Sequence, residues 1–449
     1  VSVVTRAARR DLAVVSALHA HLLDDDAPLA AFIDLTGLAG TVASLREAWR
    51  SGAPDTSVTH TFAAKANCLV PVLRILRSHG LGCEVASAGE LAQALTAGFA
   101  PDELVFDSPA KTGAELAAAL AAGIAVNVDS FQELERVDAL MAGDAGATTS
   151  RLGIRLNPQI GTGAIDAMST AGPHSKFGIA LRDPGNRERL TTAYLDRPWL
   201  RWVHVHVGSQ GLSLAQMTEG VAAAVAFADE VNAAAGHRQV EGIDIGGGLS
   251  VDFSGDDDSP SFDDHVSALK TGAPGLLDGY RVVTEFGRAL LAKNGFLATK
   301  VEYTKTAGGR PIAVTHAGAH VATRTAFSPD AWPLRVLAYD PDGRPSTAPA
   351  AVQDVAGPCC FAGDLLARGR RLPLLAPGDV VVIPDTGAYY FSTPFRYNSL
   401  PAPAVYGFDV TEGGVVEFSL LRRAETVADV VAATLGEPVF ATSRQLAVA

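Results

Sequence analysis

The stretch Thr59 to Ser108, THTFAAKANCLVPVLRILRSHGLGCEVASAGELAQALTAGFAPDELVFDS, writes one structural unit almost twice. Thr59 to Lys65 is a short run of strand character. Leu69 to Ser78 then spaces its apolar residues as one helix face requires, and Gly80 follows where a helix C-terminus favours glycine. Gly82 to Ala86 is the next strand, Gly89 to Ala97 the next helix closed by Gly98, and Glu103 to Ser108 opens a third round. Further on, Gly113 to Ala122 is a helix closed by Gly123, and strand candidates recur at Ile124 to Asp129, Leu152 to Asn157, Trp202 to Val207, Gly242 to Ile245 and Arg281 to Glu285. Eight strands with helical crossovers are the count of an α/β fold, the TIM (β/α)8 barrel, predicted here over residues 35–295.

Beyond residue 295 the texture changes. Lys300 to Tyr303, Pro311 to Thr315, Pro333 to Ala338, Asp379 to Ile383 and Val415 to Leu421 read as strands between Pro and Gly turns. A second, all-β domain of sandwich or barrel-like form is predicted for residues 296–449, joined by the N-terminal residues 1–34. Asp340 to Ala350 and the acidic, Ser-rich Asp252 to Asp264 have no pattern of a packed element, and Ala424 to Leu435 reads as a helix ending at Gly436.

Composition excludes several partners. With 36 Lys+Arg against 49 Asp+Glu the net charge is −13, so there is no basic footprint for a nucleic acid. The apolar runs are too short to span a bilayer, and Val1 to Leu23 interrupts its apolar residues with Arg, Asp and His where a signal peptide would be continuous, so a cytoplasmic location is expected. Cys68, Cys83, Cys359 and Cys360 form neither a disulfide framework nor a zinc pattern, and no metal is expected.

In a barrel the chemistry gathers where strands end. The first strand delivers Lys65 among alanines, where desolvation would lower its pKa toward a nucleophilic amine able to form a Schiff base; a snorkelling core-edge lysine is the other reading. Glu84 and Glu90 follow the second strand, and the fifth carries Arg155 and Asn157. His204 and His206 alternate onto one face of the sixth, and with no third His or Cys nearby they suit an organic ligand better than a metal. A flat imidazole can stack on an aromatic ring while Ser209 donates to an anion. Gly246, Gly247 and Gly248 after the seventh strand let backbone N–H groups approach an oxyanion, and Glu285 and Arg288 end the eighth as a ligand pair or an internal salt bridge. Together these are the parts that pyridoxal 5'-phosphate needs: an amine for its aldehyde, a flat surface for its ring, donors for its phosphate and an acid for its ring nitrogen.

Six motifs stand in order: Phe62 to Asn67, His204 to Gln210, Asp244 to Gly248, Glu285 to Arg288, Gly357 to Asp364 and Gly387 to Tyr389. As a set they resemble the fold type III pyridoxal-phosphate decarboxylases, the diaminopimelate, ornithine and arginine decarboxylase group, from about residue 30 to 408. The resemblance implies that Lys65 holds the cofactor, His206 stacks on its ring and Glu285 pairs with the ring nitrogen. It implies that Ser209, Gly247, Gly248, Arg288 and Tyr389 hold the phosphate, with Glu90 and Arg155 around the ring. It also implies a head-to-tail homodimer in which Cys360 crosses to the other subunit's site as proton donor.

Phe361 departs from that pattern. In the diaminopimelate and ornithine enzymes the residue after the cysteine is acidic and reads a distal amino group, which Phe361 cannot pair. His316 to Arg324 is altered too, and His320, Arg324 and Arg396 are candidates for reading a distal anion. The expectation is therefore decarboxylation of an amino acid or conjugate at its α-carboxylate, the substrate lacking a free distal amine. The alternatives are a diaminopimelate decarboxylase making L-lysine and a pyridoxal-phosphate amino-acid racemase.

Overall fold

The computed structural model describes residues 4–142 and 148–435. α1 (Arg6–His19), β1 (Leu29–Asp34) and α2 (Leu35–Gly52) lead into the barrel strands β2 (Val58–Ala63), β3 (Gly82–Val85), β4 (Leu104–Asp107), β5 (Ala125–Val128) and β6 (Leu152–Asn157). A short β7 (Ile179–Ala180) flanks β6, and β8 (Leu200–Val205), β9 (Gly242–Asp244) and β10 (Arg281–Phe286) complete the set. All pair in parallel, β10 returns to β2 and β5 reaches β6, so the eight main strands close into the predicted barrel.

The helices between them are α3 (Val70–Ser78), α4 (Ala88–Ala97), α5 (Gly113–Ala122), α6 (Phe131–Met141), α7 (Asn186–Leu195), α8 (Leu214–Ala235) and α9 (Phe262–Gly272). Ser87, Thr112, Ser130, Ser213 and Ser261 accept the backbone N–H three residues on, which answers one otherwise unpartnered donor at each helix start. Gly98 and Gly123 close α4 and α5 at φ 97° and 80°, the left-handed region open to glycine. Every residue of β3 to β6 is buried; Glu84, Asp107, Asn127 and Arg155 meet His204, Asp244 and Glu285 inside, above an inner apolar cluster of Val105, Ala125, Trp202 and Val283.

A four-residue helix, α10 (Arg288–Leu291), leads to the second sheet: β11 (Gly295–Ala307), β12 (Arg310–Thr315), β13 (Leu337–Tyr339), β14 (Ala350–Ala356), β15 (Leu365–Pro373), β16 (Val380–Pro384), β17 (Ala404–Val410) and β18 (Val416–Arg422). Its order is β15-β14-β12-β11-β1-β17-β18, with β16 pairing β11 and β13. The N-terminal β1 thus lies inside the sheet, antiparallel to β11 and parallel to β17, and Phe32 stacks on Phe296 at 5.0 Å.

Several expectations are corrected. Of Pro333 to Ala338 only the end joins a strand, β13. Asp252 to Asp264 is not a free insertion: Asp256 accepts from Arg10 at 3.1 Å and Arg335 at 2.8 Å, and Ser261 caps α9. α11 (Ala319–Phe327) lies in the β domain, and the last described helix is α12 (Val427–Ala432); Gly436 lies outside the described residues.

The loop after β16 docks on the turn after β2. Asn67 Nδ2 donates to the Gly387 carbonyl at 3.0 Å, and the Tyr389 N–H donates to the Ala66 carbonyl at 2.7 Å. A Cβ on Gly387 would run into the Leu291 carbonyl, so only glycine lets this loop pack against the segment that links the barrel to the second sheet.

Candidate active site

The strand ends surround a cavity of about 440 Å³. Lys65 sits in a single turn of 3-10 helix, Ala64–Ala66, immediately after β2. Its Nζ lies 2.6 Å from Glu84 Oε2. Burial alone would lower the ammonium, but Glu84, with Tyr389 and Glu285 near, raises it above its ordinary value. This reverses the expectation of a lowered amine: the sequence shows the apolar neighbours of Lys65, not the carboxylate that β3 aims at it. Burial in turn raises the Glu84 carboxyl despite the pull of Lys65, so Glu84 is a base held against the amine.

One end of the cavity is built for an anion. A Cβ on Gly247 would strike the Glu285 carbonyl and one on Gly248 the Gly208 carbonyl, so the glycine turn packs where no side chain fits. Arg288 is 4% exposed, donates to Ser209 Oγ at 3.3 Å, and keeps Nε and Nη1 buried without a partner. Burial pulls its guanidinium down to about 10. Arg288 and Arg324 both lie over the Tyr389 ring, at 4.6 and 4.4 Å, and over Trp332, at 4.8 and 5.0 Å. Arg324 Nη1 is likewise buried and unanswered. Buried donors of this strength require an acceptor, and a phosphate dianion supplies it.

The other end suits a ring. His206 Nδ1 accepts the Gly247 N–H at 3.1 Å, which fixes that nitrogen as unprotonated, and burial with Arg155 and Lys65 nearby keeps the imidazole neutral. Glu285 also lines the cavity, 4% exposed and held well above the usual carboxylate range by burial and then by Asp244, Glu84 and Asp107. Arg155 donates to Asp107 Oδ2 at 2.8 Å and stacks over Phe177 at 4.5 Å. The residues present therefore fit pyridoxal phosphate: an amine, a flat imidazole, an acid and unanswered phosphate donors line one cavity.

Lys65, Arg155, His206, Ser209, Gly248, Glu285, Arg288, Arg324 and Tyr389 line this cavity, and Gly247 borders it through His206. Other candidates do not reach it. Glu90 turns back on its own helix start, accepting the Ala86 N–H at 2.7 Å. His320 is 3% exposed, with Nδ1 3.9 Å from Cys359 Sγ, and Arg396 pairs with Glu425 at 2.6 Å on the surface; neither reads an anion here. Cys360 is exposed outside the cavity, its N–H donating to Asn398 at 2.8 Å. Phe361 stacks on Phe327 at 5.1 Å and meets Tyr397 at 5.5 Å, in an open aromatic group completed by Phe395. Glu84 was singled out with Glu90 but given no role, and Asp107 and Trp332 were missed; no single motif marks their roles, because each acquires its partner from a different strand or loop.

Fold and site together define a pyridoxal-phosphate enzyme of barrel and β-domain type. Residues 39–292 match the pyridoxal-binding domain of the pyridoxal-dependent decarboxylases, and the chain belongs to that family, as a pyridoxal-phosphate-dependent amino-acid decarboxylase. It is 32% identical over 375 residues to the diaminopimelate decarboxylase of Methanothermobacter thermautotrophicus, covering 82% of this chain and 83% of that one. To the diaminopimelate decarboxylase of Pseudomonas fluorescens it is 32% identical, covering 83% and 85%. Among solved structures, the Helicobacter pylori diaminopimelate decarboxylase complexed with L-lysine superposes with a TM-score of 0.77 at 26% identity, covering 90% and 96%.

Proposed function

We propose that the enzyme removes the α-carboxylate of an amino acid whose far end carries a second anion, with diaminopimelate the first candidate and L-lysine its product. The observation that carries this reading is the pair of guanidiniums on one tyrosine: Arg288 and Arg324 share the Tyr389 ring, and each holds an unanswered N–H. One anion is the cofactor phosphate, held by Arg288 with Ser209 and the Gly247 and Gly248 amides. Arg324 is left for a substrate carboxylate. The names of the relatives support diaminopimelate over the expectation of a substrate without a free distal amine.

The cofactor, when bound, supplies an electron sink for the bond to the departing carboxylate. Lys65 holds it, and Glu84 takes and returns the Lys65 proton across 2.6 Å. His206 offers a neutral flat face, and Glu285 would pair with the ring nitrogen. Asp107 fixes Arg155 beside the ring. Phe177 and Phe286 bound the cavity with apolar surface that solvates a carboxylate poorly, which favours its loss. The exposed Cys360 serves, in our reading, the neighbouring copy of a head-to-tail homodimer, delivering the proton that replaces CO2.

Phe361 favours a second reading. With an aromatic group where an acid would pair an ammonium, the substrate's far end is acylated or otherwise uncharged at nitrogen. Release of CO2 from diaminopimelate, ornithine, lysine and N-acylated or citrate-linked diamino acids separates the two, with Lys65→Ala as control. Turnover of diaminopimelate alone establishes the first reading, turnover of a conjugate alone the second. Exchange at Cα without CO2 from any of them would contradict both.

A further inference from the structure

Glu285 has a neighbour that the reaction as described does not use. His204 on β8 is fully buried, with Nε2 3.7 Å from Glu285 Oε2 and Nδ1 3.8 Å from Asp107 Oδ1. Both His204 nitrogens, Asp107 Oδ1 and Glu285 Oε1 are buried without a hydrogen-bond partner. Ligand atoms of all three residues lie within 4.8 Å of one another. Leaving one such group unsatisfied costs about 1–3 kcal/mol, so four in one place mark a cluster kept for what it does.

The charges around it narrow its content. Facing the trio are Glu84 from β3, Lys111 after β4, which is paired with Glu133 at 2.9 Å, Asp129 after β5, Arg155 from β6, His206 after β8, Asp244 from β9 and Lys65 after β2. Arg155 is committed to Asp107 at 2.8 Å and Lys65 to Glu84 at 2.6 Å, while Asp244 accepts from Asn127 at 3.2 Å and the Gly246 N–H at 3.0 Å. Among the described residues, Glu285 alone of these carboxylates has neither a cation paired with it nor a hydrogen-bond donor on it. The trio has a metal site's composition, but Arg155 already places a positive charge on Asp107, and a dication beside it would be repelled. A proton meets the need at smaller charge.

With both carboxylates ionised and the imidazole neutral, His204 has one N–H for two acceptors. One added proton completes both links, either as an imidazolium donating to both or as a Glu285 carboxyl donating to Nε2 while Nδ1–H donates to Asp107. Arg155 keeps Asp107 ionised, so the proton belongs to the Glu285 side. We propose that His204 is a positioning residue which, anchored by Asp107, keeps one proton shared with Glu285 and so holds the cofactor's ring nitrogen protonated. The proton passes from Glu285 to that nitrogen, leaving a carboxylate against a pyridinium, and the net charge of the group is unchanged. The inference rests on Glu285 facing the ring nitrogen.

The test is the pH dependence of the visible absorbance of the cofactor-bound protein for wild type, His204→Phe, His204→Gln and Glu285→Gln, with cofactor Kd and metal content measured alongside. Glu285→Gln and His204→Phe are expected to bring the spectral transition at least ~1 pH unit below that of wild type. His204→Gln, which retains one donor, should fall between, with cofactor Kd changed less than the spectrum. If Glu285→Gln shifts the transition and both His204 variants titrate as wild type, the role of His204 is overturned. If Glu285→Gln also titrates as wild type, the placement of Glu285 fails and the inference with it. A stoichiometric metal lost in His204→Gln would overturn it in favour of a metal site.

Discussion

The mouth of the barrel and the Gly357 to Asp364 face of the β domain are opposite kinds of surface. At the mouth, charged side chains are opposed in pairs, the half-buried Lys65 on the buried Glu84 and the buried Arg155 on Asp107, and Arg288 and Arg324 keep buried N–H groups without a partner among the described residues. On the other face, Cys360 is exposed and the rings of Phe327, Phe361, Phe395 and Tyr397 gather with no charge among them. The first surface is complete within one chain for holding a cofactor. The second presents an exposed thiol and an aromatic group that lie outside the cavity of the same chain. In our reading cofactor binding is confined to the mouth, whereas substrate choice is divided between Arg324 there and Phe361 on the other face, so substitution of Phe361 should leave cofactor binding intact.

Arg288→Ala tests the mouth most severely. Removing a buried guanidinium that answers a dianion should weaken cofactor Kd by roughly 10–100-fold, from the ~1.5–3 kcal/mol of a charged hydrogen bond, as read by cofactor fluorescence. Full cofactor affinity in that variant would remove the phosphate from this end. Phe361→Glu tests the other face: cofactor Kd should stay within ~3-fold of wild type while turnover of substrates with a free distal ammonium rises, by up to about 5-fold from the ~1 kcal/mol of one exposed or half-buried charge pair. A change in cofactor affinity instead would erase the distinction between the two surfaces.

A smaller effect concerns what fastens the domains. Arg335 and Arg10 outweigh the burial that would raise Asp256, and hold its carboxyl down from 3.8 to about 2. Because the folded value is depressed, the contribution to stability is present above pH ~3.8 and is lost as pH falls toward ~2. Asp256→Asn should therefore lower Tm at neutral pH, and the gap from wild type should narrow across that window. A gap independent of pH would show that the contact acts through packing alone.

Much of this arrangement could be read from the chain. The eight barrel strands were visible because each is a short apolar run followed by a helix, with Ser or Thr caps opening α4, α5, α6, α8 and α9 and glycines closing α4, α5 and α8, so local signals agree with the global fold. β14, β15 and β17 were not. β15, Leu365-Leu366-Ala367-Arg368-Gly369-Arg370-Arg371-Leu372-Pro373, carries three arginines and a glycine, and becomes a strand by pairing with β14. The site shows the same division. Lys65, His206, Glu285 and Arg288 announce themselves in compact motifs. Glu84 stood beside Glu90 in sequence, and only the direction of β3 decides which carboxylate meets Lys65. His320 and Arg396 looked equally able to read an anion until Cys359 and Glu425 were found to occupy them. Pairing across the fold, not residue type, separates these cases.

The most direct test of two half-sites on different surfaces is subunit complementation. Lys65→Ala and Cys360→Ala proteins are prepared separately, each of low activity, then dissociated, mixed in equal amounts and reassociated, and CO2 release is measured. If the cavity of one copy takes its cysteine from the other, half of the dimers are hybrids with one intact site in two, and about a quarter of wild-type activity returns on mixing. No recovery from a mixture shown to contain hybrid dimers would contradict the division and return Cys360 to its own chain.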